Sequence, residues 1–284
     1  MIKYICIATE MKLYLPYLQK MIPELVILGM NTKWEGFITK YKLLLAYLNN
    51  SDNDNKIKDD DIICFIDAYD VLPTKRINEL EETYKAFETA HPQVRIIVGY
   101  DKVDNVFHEY LSKNIFGTIG DDDTRLNSGQ FIGRSKNIKH IINYILENTI
   151  EFKTDQIELT KYTNQFKDDI YIDKEQIMFY VKSKPLQQVR MDHTRKSSFI
   201  HANGNGFLET FLEEEHGIKV SRKELYNNYM NNIQGCFKKL VLYDMIFINN
   251  IMTGINEIII EYIKKIIEEF NGLYKRMLYR NIQL

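Results

Sequence analysis

The sequence predicts an α/β fold in which helices flank a mostly parallel β-sheet, and several observations lead to this prediction. Short apolar runs rich in β-branched residues alternate along the N-terminal part with longer segments of helical apolar spacing. The runs are apolar throughout, as in strands that are covered on both faces. The 284 residues, of which 45% are hydrophobic, are enough to bury a sizeable core.

The first predicted elements follow one another in the order β-α-β-α-β-α-β, which is typical of a parallel sheet with crossover helices. The apolar runs predicted to be strands are Ile2–Ala8, Leu25–Leu28, Ile62–Ile66 and Val94–Val98. The segments predicted to be helices are Leu13–Met21, Phe37–Leu48 and Ile77–Phe87. The polar stretch Asp52–Asp61 is expected to be a loop.

The middle of the chain is less regular. Phe116–Asn127 is rich in Gly and Asp and is expected to be a loop that leads into a short strand at Phe131–Ile132. Helices are predicted at Ile138–Leu146 and Lys174–Val181. The last short strands of the sheet are predicted at Val189–Met191 and Phe199–His201.

After about Glu209 the strand signals end, and helices are predicted at Arg222–Met230, Phe237–Asn249 and Ile255–Lys275. We therefore expect a main α/β domain at residues 1–208 and a C-terminal α-helical extension at 209–284. The regular apolar stripe of the last helix favours packing against the main domain, with a homodimer through these helices as the alternative. A helix lying on a membrane surface would carry more basic residues on its polar face.

The composition bears on the class of function. Lys and Arg number 37 against 39 for Asp and Glu, so the basic excess of a nucleic-acid-binding protein is missing. The apolar N-terminus stops at Glu10, too early for a signal peptide, and no apolar run is long enough to span a bilayer. The three cysteines suit buried thiols in a reducing compartment. We expect a cytoplasmic protein with no nucleic-acid partner and no transmembrane segment.

The sharpest candidate for a functional site follows the predicted strand Ile62–Ile66, which runs directly into Asp67-Ala68-Tyr69-Asp70. Ligands of open α/β sheets bind at the carboxyl ends of strands. Two carboxylates at such an end can hold a hard divalent cation, which in turn binds phosphate oxygens. The alternative is that these residues cap the next helix or solvate the strand end.

A second candidate is the segment Ser198–Gly206, where a short strand ends at His201 and a turn rich in Gly and Asn follows. Glycine N–H groups in such a turn can cradle phosphate. An imidazole beside carboxylates suits Mn²⁺ better than Mg²⁺, although the spacing leaves both metals open. The alternative is a surface turn with an incidental histidine.

Two further segments carry polar residues beside apolar ones. In Arg125–Gly133, small polar residues precede an apolar strand, where they can surround a sugar ring or simply enter an edge strand. Asp173 and Glu175 lie near a predicted helix start. Acidic residues there can position an acceptor hydroxyl or complement the helix dipole.

Taken in order, these segments resemble the glycosyltransferase domain of animal procollagen lysyl hydroxylases and related collagen-type glycosyltransferases of the GT-A class. The family motif Asp-Ser-Tyr-Asp is matched by Asp67–Asp70, Leu-Asn-Ser-Gly-Gly-Phe-Ile-Gly by Leu126–Gly133, and His-Gly-Asn-Gly by His201–Gly204. The resemblance also includes Ala8-Thr9, Leu28-Gly29 and Trp34. It covers residues 1–206 and implies a GT-A, Rossmann-like fold.

The resemblance implies a role for each matching residue. Asp67, Asp70 and His201 would bind Mn²⁺, or Mg²⁺, together with the diphosphate of a UDP-sugar donor. Asn127 would face the sugar as part of the catalytic group. The residues that would contact the uridine, the phosphates or the sugar are Thr9, Lys40, Tyr69, Ser128, Gly129, Asn203 and Gly204.

The sequence departs from the family on the side where the acceptor would bind. The family carries Asp-Asp-Gln before an apolar Leu-Phe-Tyr, and the corresponding residues here are Lys174-Glu175-Gln176. Because Lys replaces one carboxylate, either Glu175 or Asp173 would take the acidic catalytic role. The stretch between Gln176 and His201 is also short for the family.

The sequence thus predicts a metal-dependent glycosyltransferase that moves a hexose from UDP-glucose or UDP-galactose to a hydroxyl of a protein or glycan acceptor, collagen-like hydroxylysine included. One alternative is a phosphohydrolase or nucleotidyltransferase that uses the same carboxylates. Another is a non-catalytic UDP-binding scaffold, which Lys174 in place of an acid would suit.

Overall fold

The computed structural model describes residues 1–50, 57–102, 116–120, 124–182, 188–190, 196–203 and 206–221. The chain divides into two compact units, Met1–Ile233 and Gln234–Leu284. The predicted helices at 222–230, 237–249 and 255–275 lie outside the described residues. The domain boundary at 208, the helical extension and a dimer formed through it therefore stay predictions.

Strands and helices alternate through the first unit. The strands are β1 (Ile2–Ile7), β2 (Val26–Leu28), β3 (Ile62–Ile66), β4 (Val71–Pro73), β5 (Ile96–Tyr100), β6 (Leu126–Arg134), β7 (Ile170–Asp173), β8 (Phe179–Val181) and β9 (Phe199–His201). The described α-helices are α1 (Leu15–Met21), α2 (Ile38–Asn49), α3 (Leu80–Ala90), α4 (Ser135–Asn148), α5 (Asp155–Gln165) and α6 (Glu209–His216). A short 3₁₀ turn, Ile77–Glu79, precedes α3.

The main sheet has six strands in the order β2-β1-β3-β6-β5-β7. The pairs β1/β2, β1/β3 and β5/β7 are parallel, whereas β6 runs antiparallel to both β3 and β5. A smaller sheet of three strands has the order β4-β9-β8. The predicted α/β fold with a mostly parallel sheet is thus confirmed.

Helices cover both faces of the main sheet. On β3 the side chains alternate, so that Cys64 and Ile66 belong to one apolar core, and Ile63 and Phe65 belong to the other. Side chains from α1, α3 and α6 complete the first core, together with the small sheet. Side chains from α2, α4 and α5 complete the second. Because β3 is buried along its whole length, its carboxyl end fixes the position of the residues that follow it.

The predicted helix at Lys174–Val181 is wrong, because these residues form a turn followed by strand β8. The carboxylate of Asp173 accepts hydrogen bonds from the backbone N–H groups of Ile177, Met178 and Phe179 at 2.8–2.9 Å. Gln176 has a φ of 54°, which is incompatible with a right-handed helix. The apolar run after it is a buried strand, and periodicity does not distinguish such a run from a buried helix.

Helix α5 and strand β7 lie between 149 and 173, a stretch in which the sequence analysis assigned no element. The hydroxyl of Thr154 caps α5 by accepting a hydrogen bond from the N–H of Ile157 at 3.1 Å. The helix was missed because its buried face includes the polar residues Asp155 and Glu158, which blur the apolar pattern.

The predicted strand at Phe131–Ile132 extends over the whole of Leu126–Arg134, so the end of the expected loop Phe116–Asn127 is part of β6. Its first half consists of small polar residues with low strand propensity, which concealed it. The short strand β4 was likewise not predicted, and it forms by pairing with β9. Next to the predicted strand Val189–Met191, the structure has an isolated β-bridge between Gln188 and Phe207. Met191 lies outside the described residues.

Helix α6 packs on the core that also contains β4 and β9. Phe211 and Leu212 are buried, and Glu209 accepts a hydrogen bond of 2.8 Å from the hydroxyl of Tyr14 in front of α1. The helix ends at Gly217, whose φ of 67° is the left-handed conformation that glycine adopts readily. No helix within the described ranges is long and apolar enough to cross a membrane.

Candidate metal and nucleotide site

Asp67, Asp70 and His201 come together at the carboxyl ends of β3 and β9. Asp67 directly follows β3, and its N–H donates to the carbonyl of Gly129 at 2.7 Å. Asp70 precedes β4, which pairs antiparallel with β9 so that Val71 lies opposite His201. The N–H of Ala202 also donates to the carbonyl of Asp70 at 2.8 Å. Sheet pairing therefore joins two segments that are far apart in sequence.

The three side chains form a group with the dimensions of a metal site. Each offers one ligand atom, and these atoms all lie within 4.8 Å of one another. Nε2 of His201 lies 3.3 Å from Oδ2 of Asp70. Two carboxylates and one imidazole are a donor set that suits a divalent cation such as Mn²⁺. The residues present thus fit the cation that the sequence predicts.

Lys40, in the first turn of α2, is buried against this group. Its ammonium lies 2.8 Å from Oδ1 of Asp67 and 2.5 Å from Oδ2 of Asp155, and it donates to the carbonyl of Ser128 at 3.3 Å. Burial works to lower the pKa of Lys40, but the two carboxylates outweigh it and raise the pKa above its ordinary value. The two carboxylates therefore favour the charged form of the lysine, which contacts one oxygen of Asp67.

His201 is held on its other ring nitrogen by Asn127 in β6. Nδ1 of the imidazole lies 3.1 Å from Oδ1 of Asn127, and the same oxygen accepts a hydrogen bond of 3.0 Å from the N–H of Gly129. Both side chains are buried, each about 2% exposed. The imidazole is thereby fixed with Nε2 directed at Asp70.

Electrostatics in the group favour retention of a positive charge. Burial acts to lower the pKa of His201, but the carboxylates of Asp70 and Asp67 raise it above its ordinary value. Burial raises the pKa of Asp67, against the opposing effect of Lys40. The carboxylates of Asp70 and Asp67 thus favour a positive charge on or beside the imidazole.

Gly129 leaves the space into which the group projects. A Cβ atom at this position would lie 2.5 Å from Cε1 of His201 and 2.6 Å from Oδ2 of Asp67. Such distances are far below van der Waals contact, so any side chain here would displace a proposed ligand. This is a direct physical reason for glycine in the Asn-Ser-Gly segment.

Tyr69 and Thr9 lie together at one side of the metal group. The hydroxyl of Tyr69 accepts hydrogen bonds from the N–H groups of Thr9 and Glu10 at 3.2 and 3.3 Å, and donates to the carbonyl of Glu10 at 3.1 Å. The ammonium of Lys12 lies 4.9 Å from the centre of the Tyr69 ring. The end of β1 is thus tied to the loop that carries both aspartates.

Asn203 is held by a second strand end of the main sheet. Its amide donates to Oδ1 of Asp101, which follows β5, at 3.1 Å. Asp101 is itself buried, and its N–H donates to the carbonyl of Arg125 at 3.0 Å. Gly204, the neighbour that was expected to approach the phosphates, lies outside the described residues.

The two acidic residues expected on the acceptor side lie outside the metal group. Asp173 is buried and its carboxylate is occupied by the backbone N–H groups of the turn at 177–179. Glu175 is exposed and lines a surface cavity with Lys167 and Tyr171. Neither is part of the group formed by Asp67, Asp70 and His201, and their catalytic role stays a prediction.

Asp155 contacts the proposed site through Lys40, and the sequence analysis did not identify it. It occupies the first turn of α5, and its carboxylate contacts Lys40. Asp155 and Gln156 are followed by the apolar Ile157. This order matches the last two residues of the family motif Asp-Asp-Gln, which also precede an apolar residue.

The comparisons with known proteins give one family match. The family model described as the PLOD GT domain matches residues 5–240. Among solved structures, the galactosyltransferase LgtC in complex with donor and acceptor sugar analogs is 12% identical, with a TM-score of 0.42, over 80% of this chain and 100% of that chain. An active-site mutant of LgtC is also 12% identical over the same shares, with a TM-score of 0.39. No curated protein matches the sequence.

Proposed function

The chain belongs to the family of PLOD GT domains, the glycosyltransferase domains of lysyl hydroxylases, and from this premise we propose that it is a metal-dependent hexosyltransferase. The predicted resemblance to this family of GT-A glycosyltransferases is confirmed. The donor that we propose is UDP-glucose or UDP-galactose. The acceptor is a hydroxyl group of a protein or glycan, and collagen-like hydroxylysine is the first to test.

The observation that carries the proposal is the convergence of Asp67, Asp70 and His201, whose ligand atoms lie within 4.8 Å of one another. These residues would hold Mn²⁺ or Mg²⁺ beside the donor diphosphate. The cation supplies positive charge where negative charge develops on the departing UDP. The protein in turn fixes the ligands before the donor arrives, through Lys40 on Asp67 and Asn127 on His201.

The nucleotide would bind where β1 and β3 end. Tyr69 and Thr9 are joined by a hydrogen bond there, which makes them one surface for the uridine. Asn203, in the turn after β9, would face the phosphates with Gly204. Lys40, whose ammonium contacts Asp67 and the carbonyl of Ser128, would act on the donor through these contacts.

The sugar and acceptor side would be formed by β6 and the first turn of α5. Ser128, Gly129 and Asn127 lie in β6 beside the metal group and would face the sugar. We propose Asp155 as the acidic residue of this side, since its carboxylate shares Lys40 with Asp67. Asp173 and Glu175, the candidates from the sequence, serve as alternatives for the same role.

The first experiment measures UDP release from a panel of UDP-sugars, with Mn²⁺ and with chelator. Wild type is compared with Asp67→Asn, which keeps the shape of a ligand but removes its charge. Asp168→Asn is the matched control because Asp168 is exposed. We expect release that requires Mn²⁺, favours one hexose, and falls at least about a hundredfold in Asp67→Asn but not in the control.

The other readings give different outcomes in the same assay. A phosphohydrolase would cleave UDP-sugars or nucleotides at full rate without any acceptor and without transfer. A non-catalytic scaffold would bind UDP tightly and release none from any UDP-sugar. Absence of UDP binding altogether would overturn the proposed donor.

A further inference from the structure

We infer that a buried water molecule lies between the two sheets, held by the side-chain amides of Gln130 and Gln176. Gln130 is in β6 of the main sheet, and Gln176 is in the turn before β8 of the small sheet. This water site is independent of the proposed metal and donor.

Both glutamine side chains are buried without a full set of hydrogen-bond partners. Gln130 is 0% exposed and Gln176 is 1% exposed. Within the part of the chain that the structure describes, Oε1 and Nε2 of Gln130 have no hydrogen-bond partner, and neither has Oε1 of Gln176. Nε2 of Gln176 donates to the carbonyl of Val181 at 3.3 Å, which fixes the orientation of that amide. Three buried amide atoms are thus left, and each costs free energy of folding if it stays unpaired.

The side chain of Gln130 lies on the face of the main sheet that the small sheet covers. Gln130 pairs with Ile66, whose side chain belongs to the first core together with those of the small sheet. Its neighbour Phe131 belongs to the second core, on the other face. Because side chains alternate along a strand, Gln130 faces the first core.

Strand β8 approaches the main sheet close to Gln130. The register of β5 against β6 shifts between Val98 and Gly99, so that residues 128–130 have no partner on β5. A Cβ atom at Gly99 would lie 3.1 Å from Cγ2 of Val181, which brings β8 to the place where the register shifts. Since Val181 is also the residue that binds Gln176, both glutamines lie beside this approach.

The three unpaired atoms match the hydrogen bonding of one water molecule. Water can donate to the two Oε1 atoms and accept from Nε2 of Gln130, and about three hydrogen bonds are usual for a buried water. A cation would be repelled by the NH₂ group, and an anion by the two oxygens. A direct bond from Nε2 of Gln130 to Oε1 of Gln176 would leave the other oxygen unpaired.

The water joins the two sheets from which the proposed ligands come. Strand β6 carries Asn127 and Gly129 of the main sheet, and β9 of the small sheet ends at His201. The family motif has glycine where this chain has Gln130, so the bridge is a feature of this chain and not of the motif.

The first measurement detects the water in the full wild-type chain. Nuclear Overhauser spectra in the laboratory and rotating frames distinguish a long-lived bound water from proton exchange at the amide groups of ¹⁵N-labelled glutamines. Gln130 should show cross-peaks with a long-lived water, and Gln19, which is exposed on α1, should show none. Absence of the water at Gln130 would overturn the inference, whether its amide is unpaired or bonded to protein.

The second measurement is the thermal stability of Gln130→Met, which keeps the length of the side chain but cannot hold the water. We expect Tm to fall by at least about 3 °C, because the water loses two of its partners. An amide without a bound water predicts the opposite sign, since replacing an unpaired buried amide by an apolar group is neutral or stabilising. Gln19→Met is the matched control and should change Tm by less than about 1 °C. A Tm of Gln130→Met at or above that of wild type would contradict the water site.

The sharing of one water is tested with Gln176→Met and the double variant. Either single change removes the same water, so the double variant should lose less in Tm than the sum of the two single losses. Additive losses would show that the two glutamines do not share a water. If a variant fails to fold, the wild-type spectra alone decide.

Discussion

At the scale of single residues, two of the proposed ligands are oriented by contacts with neighbouring side chains. One oxygen of Asp67 is bonded to Lys40, and one nitrogen of His201 is bonded to Asn127. One ligand atom from each of these two residues lies within 4.8 Å of one from Asp70. A cation bound at the proposed site would therefore meet ligands whose orientation is already fixed, so that less conformational freedom would be lost on binding.

Gly129→Ala tests how tightly this position is enclosed. The added Cβ would lie 2.5 Å from His201 and 2.6 Å from Asp67, so a proposed ligand must move. We expect Mn²⁺ affinity to fall at least about tenfold while the far-ultraviolet circular dichroism is unchanged.

Gly133→Ala is the matched control for this change, because it lies on the same strand, away from the site. Its Cβ would lie 2.7 Å from Ile96 and 2.8 Å from the carbonyl of Arg95, so it should reduce stability. Its metal affinity per folded molecule should be unchanged. Similar losses of affinity in both variants would show that Gly129 acts only through the fold.

At the scale of elements, the first turn of α5 supplies the charge that Lys40 needs. Asp155 is buried there, and its main-chain carbonyl also accepts a hydrogen bond from the hydroxyl of Tyr41 at 3.3 Å. An acidic residue in the first turn of a helix is stabilised by the helix dipole. The helix thus presents a fixed negative charge to α2, and the two elements are joined by a buried ion pair.

Asp155→Asn should be strongly destabilising because it removes one partner of that buried pair. The expected loss is about 3 kcal/mol in the free energy of unfolding, measured with urea. Asp168→Asn, at an exposed position, should change it by less than about 0.5 kcal/mol. A loss in Asp155→Asn as small as that of the control would contradict a structural role for the Lys40 pair.

A second pair of elements is joined at the opposite end of β6, where Arg134 binds Glu88 of α3. Nε of Arg134 donates to Oε1 of Glu88 at 2.7 Å, and the second guanidinium nitrogen bonds the other oxygen. The hydrogen bonds from Arg134 lower the pKa of the Glu88 carboxyl. A lowered pKa means that the pair stabilises the fold above the unfolded-state pKa and that this contribution disappears as the pH falls through the folded-state pKa.

Glu88→Gln should therefore be less stable than wild type at neutral pH. The difference should shrink below a pH of about 4 and vanish in stronger acid, when Glu88 is protonated in both states. Urea unfolding over a series of pH values measures this. Glu82→Gln on the same helix is the control, because Glu82 is exposed. A difference that is independent of pH would exclude the ion pair as its cause.

At the scale of the whole molecule, every described residue of the proposed site belongs to the unit Met1–Ile233. Its ligands come from the ends of β3 and β9, and its supports come from α2, α5 and β6. We therefore propose that this unit carries the donor site by itself.

A fragment of residues 1–233 should unfold in one cooperative transition and bind Mn²⁺ within about threefold of the full chain. Calorimetry and the free Mn²⁺ signal in electron paramagnetic resonance measure these two properties. A fragment that does not fold would show that residues 234–284 complete the core. A fragment that folds but has lost its metal affinity would place part of the site beyond residue 233.

The sequence determined the features that depend on local pattern. Buried strands such as Ile62–Ile66 are read from continuous apolar runs, and a carboxylate at the end of such a strand is a site candidate wherever it occurs. Ordered motifs then identified the family, which the match over residues 5–240 confirms. The same motifs grouped Asp67, Asp70 and His201 as one predicted metal site, although 131 positions separate the second aspartate from the histidine.

Only the tertiary structure decided which acidic residue faces Lys40. Asp155 and Glu175 both precede a glutamine and an apolar residue, and local sequence does not separate them. The difference is that α5 packs beside α2, which brings the Asp155 carboxylate to 2.5 Å from the Lys40 ammonium. In the turn after β7, the carboxylate of Asp173 instead accepts hydrogen bonds from the backbone. Glu175 in the same turn is exposed. Contacts between residues more than a hundred positions apart are set by packing, which no local pattern encodes.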